Sequence, residues 1–332
     1  MKQDKTFFTQ LITIIFTIIF MGALSAKADI KVVTTIKPLH SLISNVMDGV
    51  GEPSLIIEGS TSPHSFVLKP SHAKLIEQAD IIFWIGEDIE TFMEKPLESI
   101  AKNAKKVSFM ELSSIEKLKF REENIFEHED HDDHGHDEKK DHDDHGHDEK
   151  KDHDDHGDGH EGHHHGEFDA HIWLDPANAK EMLHEIAHEL ADLDPANADK
   201  YESNADNTIK SIDDMISSVS SSINKNAKFI VFHDAYQYFE KRFGVATAGA
   251  LTLNTDVLPG AKQISEIQEV IAEREIKCIF SEPQFNPKII ETIAQDTGIK
   301  TGVLDPLGSI FDAGKSQYFT LINDLGDKLK DC

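Results

Sequence analysis

At 332 residues the chain is long enough for one large domain or two medium ones, each with its own core. Its formal charge of −28 argues against nucleic acid as a partner, because a surface of that sign repels phosphate. Half of that charge sits on one segment: between Glu127 and Glu167 there are 18 acids and 4 lysines, a balance of −14.

In chain order, the first element reads as a processing signal. Lys2 and Lys5 precede a 14-residue, largely apolar run, Leu11 to Leu24, and Ala26-Lys27-Ala28 then offers a cleavage site. That run fits the core of a signal peptide better than a membrane span, which needs about 20 residues. Residues 1–28 are therefore expected to be removed near Ala28. No cysteine lies near the cut to carry a lipid anchor.

Beyond residue 29, β-branched runs alternate with helical patterns. The strand-like runs are DIKVVTTI (29–36), SLIIEG (54–59), ADIIFWIG (79–86), KFIVFH (228–233), VATAGAL (245–251) and KCIFSE (277–282). Helical spacing appears in HSLISNVMDGV (40–50), in SHAKLIEQA (71–79), where Ser71 is expected to cap, and in QISEIQEVIAERE (263–275). This alternation predicts an α/β protein with largely parallel sheets. A long helical stretch from Ala177 to Ile223 breaks only at Asp194-Pro195. The expected division is an N-terminal α/β lobe over 29–194, a rigid connecting helix over 195–224 and a C-terminal α/β lobe over 225–332.

The acidic segment, 127–167, is an insert in the first lobe. The unit DHDDHGHDEKK occupies 130–140 and 141–151, and a degraded third copy starts at Asp152. An 11-residue period is compatible with a supercoil. These units contain no apolar residue to bury, so the expectation is disorder. Thirteen of the 20 histidines lie here: His128, His131, His134, His136, His142, His145, His147, His153, His156, His160, His163, His164 and His165. They are candidates for weak, accessory metal binding by a tethered segment that raises the local ion concentration; a solvated acidic spacer is the plainer reading.

The two cysteines, Cys278 and Cys332, suit an exported chain, and an even count there points to a disulfide. The bridge would pin the C-terminal helix to a core strand; the chain-entropy account gives such a loop about 4 kcal/mol.

Seven histidines remain outside the repeat. His184 and His188 stand i, i+4 in HEIAH, which resembles half of a zincin site but reads as an exposed helix face. His40 and His72 sit at helix starts. His64 (GSTSPHSFVLKPS), His171 (FDAHIWLDP) and His233 (KFIVFHDAY) each lie beside a strand end or an adjoining loop. Ligand sites in open α/β sheets gather at the carboxyl ends of strands. Three neutral imidazoles converging there suit Zn²⁺, with a carboxylate or water completing the tetrahedron.

At these residues a family resemblance emerges. IKPLHSL, PHSFVLKPS, AHIWLDP, VFHDAYQYF, SEPQFNP and LDPLG occur in the order found in the periplasmic zinc-binding proteins of ABC importers. The resemblance covers essentially the whole chain after the signal, including the histidine-rich insert and the late cysteines. It implies two lobes joined by a rigid helix, metal in the cleft and little closure of the lobes. It implies a non-enzymatic, monomeric carrier that gives Zn²⁺ to an inner-membrane permease and its ATPase.

The family's three histidines match His64, His171 and His233, the first two from the N-terminal lobe. Some zinc members have a glutamate before the first histidine; Pro63 stands there in this chain. Asp305 in LDPLG matches the acidic ligand position of the wider family and is the candidate fourth ligand, with water as its rival. Glu282 in SEPQ is expected in a buried ion pair or a cap, with an approach to the cleft as the alternative. The alternatives are a Mn²⁺ or Fe²⁺ carrier of the same fold, a surface adhesin of the same fold family and, from another class, a zinc hydrolase in which the three histidines activate water.

Overall fold

Val32–Thr34 form β1, three consecutive buried residues, and a run apolar on both faces is what a parallel strand covered on both sides requires. The computed structural model describes residues 30–126, 166–253, 255, 257 and 259–332. The expected signal peptide and the thirteen histidines of the repeat lie outside the described residues.

After β1 come α1 (Lys37–Val46), β2 (Ser54–Leu55), α2 (Pro70–Gln78), β3 (Ile81–Trp84), α3 (Thr91–Ser99) and β4 (Lys105–Ser108). Two helices follow, α4 (Pro176–Leu193) and α5 (Ala198–Ser222). The second half holds β5 (Phe229–His233), α6 (Gln237–Phe243), β6 (Ala250–Thr252), α7 (Ala261–Glu273), β7 (Cys278–Ser281), α8 (Lys288–Thr297), β8 (Lys300–Val303) and α9 (Gln317–Lys328).

The strands make two four-stranded sheets with the orders β2-β1-β3-β4 and β6-β5-β7-β8. Every pairing is parallel; Val33 faces Ser54 and Ile82, and Ile230 faces Ile279. In each sheet the chain runs to one side of its first strand and then returns to the other. The reversal falls between β1 and β3, and again between β5 and β7. It opens a crevice at the carboxyl ends of those strands, where open α/β sheets bind ligands. The expected α/β class with parallel sheets is what is observed.

Two edge strands, β4 and β8, carry no apolar run. Both are lysine-led, KKVS and KTGV, and are half or more exposed, so periodicity did not mark them. The first turn of α2 also differs from expectation. Its N-cap is Lys69, whose N–H donates to His72 Nδ1 at 3.2 Å, because Pro70 occupies the first helical position and moves Ser71 inside the helix.

The long helix α5 packs along α4 and α1. The last helix, α9, returns to pack on α1 and α5, while Cys332 beyond it is bonded to Cys278 at the start of β7. The two halves are stitched by buried polar contacts. Trp173 Nε1 donates to the Pro306 carbonyl at 2.8 Å, Tyr318 Oη to that of Trp173 at 2.8 Å, and Tyr238 Oη to that of Asp169 at 2.6 Å. Arg242 grips Asp175 with two bonds of 2.6 and 2.8 Å.

Candidate metal centre

Each of the three histidines is held by local chemistry. His64 lies in a 3₁₀ turn, Pro63–Ser65, and its N–H donates to Ser62 Oγ at 3.3 Å. His171 immediately precedes the turn Ile172–Leu174; its N–H and its Nδ1 both reach Asp169 Oδ1, at 3.0 and 2.7 Å. His233 is the last residue of β5, at the β5/β7 crevice. Its N–H and Nδ1 both reach Glu282 Oε1, at 3.3 and 2.6 Å. The strand and two turns thus bring His64, His171 and His233 together, with Glu282 just past the end of β7.

The carboxylates hold Nδ1 of His171 and of His233 and leave Nε2 facing the cleft. In its ionised form each carboxylate accepts a hydrogen bond from Nδ1–H, which frees the Nε2 lone pair for an ion. His171 Nε2 lies 3.4 Å from His64 Nε2 and 3.3 Å from His233 Nε2. Ligand atoms about 2.05 Å from a tetrahedral Zn²⁺ stand about 3.3 Å apart. Among the described residues no other group of three or more His, Cys, Asp or Glu converges in this way. The cleft between them has room for about one water-sized sphere and is lined also by Pro63, Trp173, Gln284, Phe285, Pro306 and Leu307.

His171 and His233 are 4% and 3% exposed, while His64 is half-buried at the mouth. Burial, helped by repulsion from His233, drives the pKa of His171 well below its usual value. Burial opposes a charge on His233 too, but Glu282, Asp234 and Asp169 outweigh it and raise its pKa. Burial lifts Asp169 to about 7, against the pull of the His171 amide, His233, Arg121 and Gln237.

Arg121 supplies the positive charge behind this layer. It bonds Asp234 Oδ1 at 2.7 Å and Glu240 Oε2 at 2.8 Å, and Gln237 Nε2 donates to Asp169 Oδ2 at 3.1 Å. The segment carrying Arg121 crosses to the second sheet, where Ile125 bridges Gly249 and the Phe126 N–H donates to the Ala248 carbonyl at 3.0 Å. Asp169 and Arg121 were not singled out in the sequence; the one available signal was the D-x-H spacing of FDAH.

Asp305 does not join the histidines. Its Oδ1 accepts from the Leu307 N–H at 3.0 Å and from Gln284 Nε2 at 2.8 Å; its Oδ2 accepts from Ser309 N and Oγ at 2.6 and 2.7 Å. It is committed to its own turn. The four other described histidines lie elsewhere. HEIAH spells H-E-x-x-H, but His184 and His188 are both exposed on α4 and apart from the cluster, with His188 3.9 Å from Asp192. His40 Nε2 bonds the Pro53 carbonyl at 3.2 Å, and His72 stacks on Phe66.

Comparison with known proteins gives the family. The family described as the zinc-uptake complex component A, periplasmic (ZnuA), matches residues 32–332. The chain belongs to this family. It is 46% identical over 315 residues to the high-affinity zinc uptake system protein ZnuA of Brucella abortus, covering 94% of each chain. It is 34% identical over 312 residues to the protein of that name from Yersinia pestis, covering 92% of each. Among solved structures, a crystal structure of ZnuA superposes with a TM-score of 0.69 at 20% identity, over 90% of this chain and 99% of that one. The laminin-binding protein of Streptococcus agalactiae, a bifunctional protein with adhesin and metal-transporting activity, gives 0.66 at 21%, over 91% and 100%. These two structural likenesses speak to the two-lobed fold. The ZnuA family is one of periplasmic solute-binding transport proteins, as the motif order implied.

Proposed function

We propose that this chain captures Zn²⁺ in the periplasm on His64, His171 and His233 and delivers it to an inner-membrane ABC permease driven by its ATPase. The observation that carries the reading is the spacing of the three Nε2 atoms, with carboxylates behind two of the rings. Neutral imidazoles favour Zn²⁺ over Mn²⁺, which prefers oxygen ligands. Zn²⁺ is cargo here, and no catalytic step is assigned to it. The leader, 1–28, exports the chain and is cleaved near Ala28. The mature protein acts as a monomer, and the buried polar stitching between its halves keeps lobe closure small. The thirteen histidines of the 127–167 insert gather zinc weakly and feed the three-histidine centre.

The test is a zinc titration against a chelator, on mature protein with and without residues 128–165. One tight site that survives the deletion and disappears in His233→Ala supports the reading. Structural zinc sites are worth about 10–16 kcal/mol over four ligands, so one lost histidine should cost about 3–4 kcal/mol, several-hundredfold in affinity. Tight binding that leaves with the repeat would place the working site there instead.

A further inference from the structure

The fourth position of the metal tetrahedron is unassigned by the three histidines, and the acidic candidate that the motif suggested, Asp305, is spoken for. All the hydrogen bonds of Asp305 go to residues of its own turn and to one side chain, Gln284. That side chain is the informative one. Gln284 lines the same cleft as the three histidines, two residues after Glu282.

Its amide orientation is decided by its neighbour. Asp305 Oδ1 accepts from Nε2 at 2.8 Å, and Ser309 Oγ lies 3.5 Å from the same nitrogen. A carboxylate accepts from an NH₂ group and cannot donate to an amide oxygen, so the NH₂ faces Asp305 and Oε1 faces away from it. Gln284 Oε1 is buried and has no hydrogen-bond partner among the described residues. A buried amide oxygen left unpaired costs about 1–3 kcal/mol, so such an atom at a cleft is placed for something that donates to it. The histidine Nε2 atoms cannot be that donor in the loaded state, because each gives its lone pair to the ion. A water bound to the ion can: coordination makes its hydrogens more acidic and better donors.

We propose that Gln284 Oε1 accepts a hydrogen bond from a water that completes the Zn²⁺ shell, and that Asp305 is a positioning residue holding the Gln284 amide in that orientation. The inference rests on the three-histidine reading above. In the wider family's terms, the acidic residue is set back by one side chain, and a neutral amide stands in front of it. The ion then meets three nitrogens and one neutral oxygen, with no direct carboxylate. That ligand set favours zinc and disfavours harder cations such as Mn²⁺. Gln284 thus sets metal selectivity as well as holding the water.

The experiment uses the full mature chain with Gln284→Leu, Gln284→Glu and Asp305→Asn, each checked for folding by its thermal transition. Zinc and manganese affinities are measured by chelator competition, and the visible absorption of the Co²⁺-loaded protein reports the ligand set. Gln284→Leu should weaken zinc by about tenfold, the usual size for an outer partner of a metal site, and shift the Co²⁺ bands. Gln284→Glu puts a carboxylate where the water's acceptor stands and should raise the Mn²⁺-to-Zn²⁺ affinity ratio by about tenfold or more. A merely structural glutamine would produce no gain in manganese binding. Unchanged zinc affinity and Co²⁺ bands in Gln284→Leu, with the tight site still lost in His233→Ala, overturn the proposal and leave the carrier reading standing. Loss of zinc in folded Asp305→Asn, with both Gln284 variants unaffected, also overturns it and makes Asp305 the direct ligand. A parent protein with no tight site that depends on His233 fails the carrier reading itself. Should Asp305→Asn not fold, the two Gln284 variants decide alone.

Discussion

The two sheets have the same strand order and open the same crevice, but they fill it differently. Behind β3 of the first sheet, Glu90 is fully buried, and its Oε2 accepts the Ile85 and Gly86 N–H groups at 2.7 and 3.3 Å. A glutamate there caps backbone and seals the crevice beside Thr34 and Thr35, which are themselves fully buried. Behind β7 of the second sheet, Glu282 instead holds the imidazole of His233 and leaves its Nε2 facing the cleft. The topology provides two places for a ligand. The residue that ends the first strand differs, Thr34 in one sheet and His233 in the other, and on the proposed reading only the second supplies a ligand. The first half contributes its histidines from turns outside its own crevice.

Four predictions bear on this contrast, from largest to smallest. The second half carries the staple, a 54-residue separation closed by Cys278–Cys332. Replacing both cysteines with serine should lower the unfolding free energy by about 4 kcal/mol on the chain-entropy account, measured by denaturant titration. Zinc affinity should hold, since the bond lies at the amino end of β7, away from the cleft. A large loss of zinc binding would show that the staple shapes the site.

The sealed crevice should announce itself through pH. Burial raises Glu90 to about 7 from 4.5, against opposing pulls from Thr35 and the two amides. Between those values the folded chain holds a proton that the unfolded chain has released. Stability therefore falls as pH rises through this window, by about 2–3 kcal/mol between pH 5 and 8. Glu90→Gln has no such proton and should make the fall shallower by that amount, leaving the like-signed share of Asp169 and Asp234, which burial also raises to about 7, and should not change zinc affinity. A pH profile identical to the parent's would mean that Glu90 ionises freely in the folded chain.

For the open crevice, Glu282→Gln keeps an acceptor for His233 Nδ1 and removes the charge. Zinc affinity should drop by about 10- to 100-fold at pH 8, read by chelator competition. An unchanged affinity would reduce Glu282 to a packing residue.

The smallest effect is proton competition at His233. Its raised pKa means that zinc must displace a proton at any pH below that value, and affinity should then fall about tenfold per pH unit. Because Glu282 is the first of the groups that raise it, the fall in Glu282→Gln should begin at a lower pH. Proton release on binding, measured in two buffers of different ionisation enthalpy, checks the sign.

Most strands and helices were legible because their residues obey a period. ADIIFWIG and KFIVFH are buried on both faces, and QISEIQEVIAERE carries isoleucines along one side of a helix. β4 and β8 escaped because edge strands need few apolar residues. The three histidines were legible by type and by position at strand ends or in adjoining loops. Asp305 was legible as an acid in the right motif, but its hydrogen bonds belong to a turn whose geometry no spacing reveals.

By itself, then, the sequence determined the α/β alternation, the histidine set, the pairing of two lone cysteines and the segregation of half the charge into one repeat. Each follows from local pattern or from counting. Tertiary structure alone decided that Asp169 and Glu282 stand behind two imidazoles, that Arg121 faces Asp234 and Glu240 from 113 and 119 residues away, and that Asp305 orients Gln284. These are contacts between distant residues in a low-dielectric interior. Their strength depends on a few tenths of an ångström and on burial, neither of which is encoded in the spacing of residues along the chain.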